Sequence, residues 1–205
     1  MVWNDMYSIV YASNNVISGI DPQVEDPTEQ YYLAQGLGAR AFAYWVMAQL
    51  YQFNYKGNRN QPCVPLITEK NMEEAATKDV RATSSDVYTQ ITTDLASAID
   101  LLTKSKVKRT DKRYISLAVA YGLSARVNLT MHEYGAAATA ADNAIKAAAT
   151  EGLAPSKYTE KDNQKILAPA FWSSDEQNWM WGIIVSETDR VVTSGIVNWP
   201  SHMVP

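Results

Sequence analysis

Ser84-Ser85-Asp86-Val87-Tyr88-Thr89-Gln90-Ile91-Thr92-Thr93-Asp94-Leu95-Ala96-Ser97-Ala98-Ile99-Asp100-Leu101-Leu102 is the stretch from which the fold is read. Tyr88, Ile91, Leu95, Ala98 and Leu102 recur three and four residues apart, which is the spacing of one buried face of an α-helix. Ser84 or Ser85 is placed to cap its first turn. Lys104, Lys106, Lys108 and Arg109 follow its end, where the helix dipole favours cations, and they read as a solvated terminus rather than an anion site.

The same period continues on both sides. Upstream, Trp3, Met6, Ile9 or Val10, Asn14, Val16 and Ile20 mark a first helix from about Val2 to Ile20, stopped by Gly19 and Asp21-Pro22. Asp26-Pro27-Thr28-Glu29 then combines a cap, a proline suited to the first helical position and an acid for the positive end. Leu33, Leu37, Ala41, Tyr44, Ala48 and Tyr51 carry that helix to about Tyr51. Downstream, a helix from Ser116 shows Leu117, Ala120, Ser124, Val127 and Met131 on one face. After a turn at His132-Glu133 comes another, with Tyr134, Ala138, Ala141, Ile145 and Ala148. Its many alanines let two helices approach closely.

Two segments break the pattern. Residues 52–83, rich in Asn, Gly and Pro, read as a long surface connection, a length at which loops are usually functional or belong to a mobile region. From about Ala154 onward Trp172, Trp179, Trp181 and Trp199 stand among prolines, glycines and polar residues, and the chain reads as irregular, with one candidate strand at Trp181-Gly182-Ile183-Ile184-Val185. Residues 1–150 are therefore expected to form a helical scaffold and residues 151–205 an irregular, Trp-rich segment of the same domain. The chain starts within a pattern already under way and ends at Trp199-Pro200 without tapering, so it reads as a fragment of a longer protein.

Composition excludes several classes. A net charge of −4 leaves no basic footprint for nucleic acid and no polybasic patch for a membrane surface. No apolar run reaches the roughly 18 residues of a membrane span. Cys63, the only cysteine, can form neither an intrachain disulfide nor a thiolate cage and reads as small apolar filler. Gly36-Leu37-Gly38-Ala39-Arg40-Ala41 fits G-x-G-x-x-A on paper, but it lies inside a helix with no strand before it, so its glycines read as helix-packing positions. The two histidines, His132 and His202, are far apart and make no zinc motif. No nucleophile elbow, phosphate loop or acidic loop with Ca²⁺ spacing is present, so the chain reads as non-catalytic and without a cofactor. Asn128-Leu129-Thr130 is a glycosylation sequon by pattern only, since it falls within a helix.

Around Leu123, Ser124 and Val127, followed by Ala137, Ala141 and Ala144, the spacing is close to that of a tetratricopeptide repeat with about one extra residue in the turn. Trp3-Asn4-Asp5-Met6-Tyr7-Ser8-Ile9 leading to Asn14-Asn15-Val16-Ile17 opens an order of larger blocks, and it resembles the W-x-x-x-Y-x-x-I…N-x-x-I helix of the SusD/RagB family. Ala39-Arg40-Ala41-Phe42-Ala43-Tyr44, Gln49-Leu50-Tyr51 and Val64-Pro65-Leu66 are similar to its second segment. Arg81-Ala82-Thr83, Val87-Tyr88, Ile91, Asp94-Leu95 and Ala98 are similar to a third block, and Ala118-Val119-Ala120, Leu123, Ala125-Arg126-Val127, Leu129, Tyr134 and Ala137 to a repeat helix of the family. Family members are much longer and carry a lipoprotein signal and anchor cysteine that this sequence lacks.

The resemblance implies a mostly α fold of tetratricopeptide-like antiparallel helix pairs with long irregular loops. It implies a lipid-anchored protein at the outer-membrane surface, of the Bacteroidetes type, that captures oligosaccharide or polysaccharide for a partner TonB-dependent, SusC-like transporter. A helical-repeat scaffold that binds only protein is the alternative. Saccharides offer apolar C–H faces and rims of hydroxyls, so their sites combine aromatic platforms with amide and carboxylate partners. Trp172, Trp179, Trp181 and Trp199, outside strong helical periodicity and near Asp175, Asn178 and Asn198, are the candidate glycan contacts. Trp3 and Trp45 lie on helical stripes and are assigned to the core.

Overall fold

A computed structural model describes residues 2–75, 80–161, 164–168 and 175–182. The helices are α1 (Val2–Ser18), α2 (Pro27–Tyr51), the single turn α3 (Met72–Ala75), α4 (Ser84–Ser105), α5 (Leu117–Met131) and α6 (Tyr134–Thr150). Strands β1 (Lys157–Lys161) and β2 (Gln164–Ala168) come next as an antiparallel pair, with Lys157 opposite Ala168 and Lys161 opposite Gln164. The fold is mostly helical, as the periodicity predicts. Among the described residues no helix is long and apolar enough to cross a membrane.

α2 is the central helix. Its stripe Leu33, Leu37, Ala41, Tyr44 and Ala48 is buried, and so are Ala34, Ala43, Trp45 and Met47 on other faces, because α1, α4 and α5 all pack on it. Asp26 caps it as expected, its carboxylate accepting from Thr28 N and Glu29 N at 2.9 Å. α1 runs antiparallel to α2: Trp3 packs edge-on to Tyr51, while Gly36 faces Val16 and Ile17. Gly36 and Gly38 are helix-packing positions. A Cβ at Gly38 would meet Ile115 Cδ1 at 2.8 Å, so a larger residue there requires the end of that isoleucine to shift. α4 buries the whole predicted stripe, and α5 packs on α4 and then on α6. α5 is capped by Ser116 and ends at His132, whose left-handed backbone (φ 66°) lets Glu133 N return to Asn128 O at 2.9 Å.

Several expectations are corrected. α4 is capped by Thr83, not Ser84 or Ser85: Thr83 Oγ1 accepts from Asp86 N at 3.1 Å, while Ser84 is buried and its N–H goes to Gln61 O. On α1 the buried residues are Val10, Ser13 and Asn14, and Val16 is exposed. Tyr51, at the end of the α2 stripe, is also exposed. On α6 the buried face is Ala137, Ala140, Ala144, Ala147 and Ala148, which turns Tyr134, Ala138 and Ile145 to solvent. Alanine explains that shift: small residues let α6 lie close on α5, so packing selects alanines over the larger Ile145.

The connection 52–83 is only partly a surface loop. Tyr55, Cys63 and Val64 are buried, and Cys63 is apolar filler as expected. Cys63 N donates to Ala82 O, and Ala82 N to Val64 O. Side chains from α1 and α2 pin residues 65–67: Tyr7 Oη donates to Pro65 O, Asn14 Nδ2 to Ile67 O, and Tyr44 Oη both donates to Ile67 O and accepts from Ile67 N. Beyond Ala154 the pair β1–β2 replaces part of the expected irregular structure. Trp181 and Gly182 belong to no strand, and residues 183–185 lie outside the described residues.

Candidate functional site

Two recesses among the described residues bear on the site. The larger, about 750 Å³, opens between α1, α2 and α4. At its base Arg40 is the buried hub. Its Nε and Nη2 donate to the two oxygens of Asp94 at 2.8 Å, and Nη1 donates to Asn14 Oδ1 and Glu69 Oε2. Burial pushes the Asp94 carboxyl up, against the pull of Arg40. Burial acts upward on Glu69 as well, but the hydrogen bond and charge of Arg40 outweigh it and hold that carboxyl below its ordinary range. The polar groups at this base are already consumed by one another, and no aromatic ring lines the recess. It has the character of a structural ion cluster rather than a saccharide shelf.

The smaller recess, about 340 Å³, is built on α5. Val119, Gly122, Leu123 and Arg126 fall three and four residues apart and present one face of that helix. Asn178, Trp179, Met180 and Trp181 form the opposite wall. This size is near the lower end of small-ligand clefts, about 300–1,000 Å³.

The wall stands where it does because it is tied to the loop 106–116. Lys112 Nζ donates to Glu176 O, Gly182 N to Lys112 O, and Trp181 Nε1 to Arg113 O at 2.9 Å. That loop is fixed to α2 in turn: Gln35 Nε2 donates to Ile115 O at 2.8 Å and Gln35 Oε1 accepts from Ile115 N at 2.7 Å. A second tether comes from the chain after α6, where Ala154 N donates to Gln177 O and Asn178 Nδ2 to Ser156 Oγ. Trp179 folds back on Gly182, where a Cβ would lie 2.8 Å from the indole nitrogen. Partial burial and the neighbouring Arg109 lower the Lys112 ammonium below the ordinary lysine range, with Asp175 and Glu176 opposing.

Of the candidate glycan contacts, Trp179 and Trp181 are brought together here, both half-buried, beside Asn178. Trp181 packs edge-on to Phe42, their ring centres 5.1 Å apart. Trp172, Trp199 and Asn198 lie outside the described residues. Trp45 is buried, as assigned, and donates to Thr130 Oγ1; Trp3 is half-buried against Tyr7 and Tyr51. Sequence reading missed Arg126, which lies in the exposed part of α5 and stacks over the Trp45 ring with 4.7 Å from Cζ to the ring centre. Its signal was the i, i+3, i+4, i+7 set on α5, which only the opposing wall turns into a site.

Residues 1–129 match the family model SusD-like, described as starch-binding and associating with the outer membrane, and the chain belongs to that family. Solved structures agree. A SusD-like carbohydrate binding protein from Bacteroides vulgatus is 25% identical with a TM-score of 0.72, over 89% of this chain and 36% of that one. A SusD superfamily protein from Bacteroides thetaiotaomicron is 26% identical with a TM-score of 0.59, over 70% and 31%. A laminarin binding SusD-like protein is 26% identical with a TM-score of 0.53, over 68% and 28%. The chain thus spans about a third of the length of the structures it matches. No protein of curated function matches it.

Proposed function

We propose that this is a non-catalytic glycan-capture protein of the outer-membrane surface. It is held there by a lipid anchor in the full-length protein and delivers oligosaccharide to a TonB-dependent, SusC-like transporter. Residues 1–150 serve as its scaffold and residues 151–205 as a Trp-rich segment of the same domain, with Trp172, Trp179, Trp181 and Trp199 as glycan contacts. Family membership supports the class of ligand. The observation that carries the site is the meeting of Trp179, Trp181 and Asn178 over one face of α5, an aromatic wall with an amide at its edge. Such a wall suits the C–H face and hydroxyl rim of a sugar ring.

Native affinity electrophoresis against soluble polysaccharides, starch and laminarin among them, tests this reading. At least one polysaccharide should retard the chain, and Trp179→Ala should weaken that retardation roughly tenfold with helicity unchanged. A chain retarded by none of them, or a Trp179→Ala variant that binds as the parent does, would overturn the capture reading or its site respectively.

A protein-binding scaffold is the second reading. It is favoured by one observation: Tyr134 and Ile145 on the outer face of α6 are 62% and 68% exposed. Loss of a protein contact in Ile145→Glu, in a chain that no polysaccharide retards, would favour this protein-only reading.

A further inference from the structure

We infer that the α5 groove selects acidic saccharides, with Arg126 gripping the carboxylate of a uronate ring; this rests on the glycan-capture reading above. Arg126 differs from its counterparts. Arg40 pairs with Asp94 and Glu69, Arg59 with Glu133, Arg109 with Glu151, Arg113 with Asp111, and Arg81 donates to Cys63 O. Among the described arginines only Arg126 has neither a hydrogen-bond acceptor nor an ion-pair partner; its one specific contact is with the Trp45 ring.

That contact determines what the guanidinium offers. Its Cζ lies 4.7 Å over the centre of the indole ring, and a guanidinium carries its N–H groups in one plane. A planar carboxylate accepts two such parallel N–H groups at once, an arrangement a sugar hydroxyl cannot match. The stack also holds the fork in place, so less side-chain freedom is lost on binding.

The lining gives the sign of the ligand. Among the described residues it carries a single charge, that of Arg126, and no carboxylate. A carboxylate in the lining would repel an acidic ring. This groove supplies an unpaired cation beside Trp179 and Trp181. Within about 340 Å³, a ring resting on the indoles lies within reach of Arg126, so one uronate residue can engage both.

The test is calorimetric titration of the 205-residue chain with five ligands: oligogalacturonate, its methyl ester, laminari-oligosaccharide, and plain and sulfated malto-oligosaccharide. Oligogalacturonate should bind, more weakly as salt rises, and its methyl ester at least tenfold more weakly than the free acid. Arg126→Gln should lower affinity for the acid roughly 10- to 100-fold, and Arg126→Lys should recover only part of it. Thermal melts confirm that both variants fold. Equal affinity in Arg126→Gln, equal affinity for acid and ester, or tighter binding of the sulfated ligand would each overturn the uronate assignment. Binding of the neutral ligands alone, abolished by Trp179→Ala, would overturn it while the glycan-capture reading stands. Binding of none of the five would remove both.

Discussion

Arg40 illustrates what a single residue demands of its surroundings. It is 2% exposed, and its guanidinium meets the carboxylates of Asp94 and Glu69 and the amide of Asn14. Breaking such a buried pair by removing one partner typically costs about 3–5 kcal/mol, because the remaining charge stays buried. Glu69 is the partially exposed member, and its folded carboxyl is held below its unfolded value of about 4.3. Its contribution is present above that value and is lost as pH falls through the folded one. The melting temperature of the parent should therefore fall more steeply with acidification than that of Glu69→Gln, in paired melts taken downward from about pH 5.

Gly38 is the other residue-scale test. Gly38→Val adds carbons where Ile115 Cδ1 already sits, and should destabilise by about 1–3 kcal/mol in urea unfolding. These two residues were unequally legible. The Gly36-x-Gly38 spacing within a helical stripe is enough to predict close packing. Asn14 was read as a position on the first helix's stripe, and Arg40 and Asp94 as members of motif blocks, but their pairing was not legible, because a contact across 54 residues leaves no periodic trace.

At the scale of the element, the α4 stripe was legible because each of its five apolar positions is buried by neighbours of ordinary size. α6 was not, because its sequence offers two alanine-bearing faces and the choice depends on which fits α5. The observed choice makes a sharp contrast between adjacent residues. Ala144→Glu should unfold the α5–α6 pair, whereas Ile145→Glu should leave the melting temperature within about 1 °C, as measured by circular dichroism. The β1–β2 pair went unread although Lys157-Tyr158-Thr159-Glu160-Lys161 and Gln164-Lys165-Ile166-Leu167-Ala168 flank the turn-favouring Asp162-Asn163. Its strands alternate too weakly to stand out from a Trp-rich segment.

Across the whole molecule, the groove depends on contacts far from it. Gln35 on α2 fixes Ile115, the loop it anchors carries Lys112 and Arg113, and these hold Gly182 and Trp181 against α5. Gln35→Ala should thus weaken glycan binding without contacting ligand, and expose the loop 106–116 to limited proteolysis while α1, α2 and α4 stay protected. The two candidate tryptophans that do meet were legible from composition. Their partner Arg126 was not, since a cation on a helix surface carries no mark of what the distant chain brings against it.

The Arg40 cluster also bears on how the chain reaches its folded state. Its members come from α1, α2, the 63–71 segment and α4, at positions 14, 40, 69 and 94. An assembly that withdrew Arg40 from water before Asp94 arrived would leave its Nε and Nη2 without acceptors, at a cost of about 3–5 kcal/mol. An assembly of α1 and α2 alone is therefore penalised relative to one that includes α4. α1 and α2 thus share a fully satisfied base only once residue 94 has joined them.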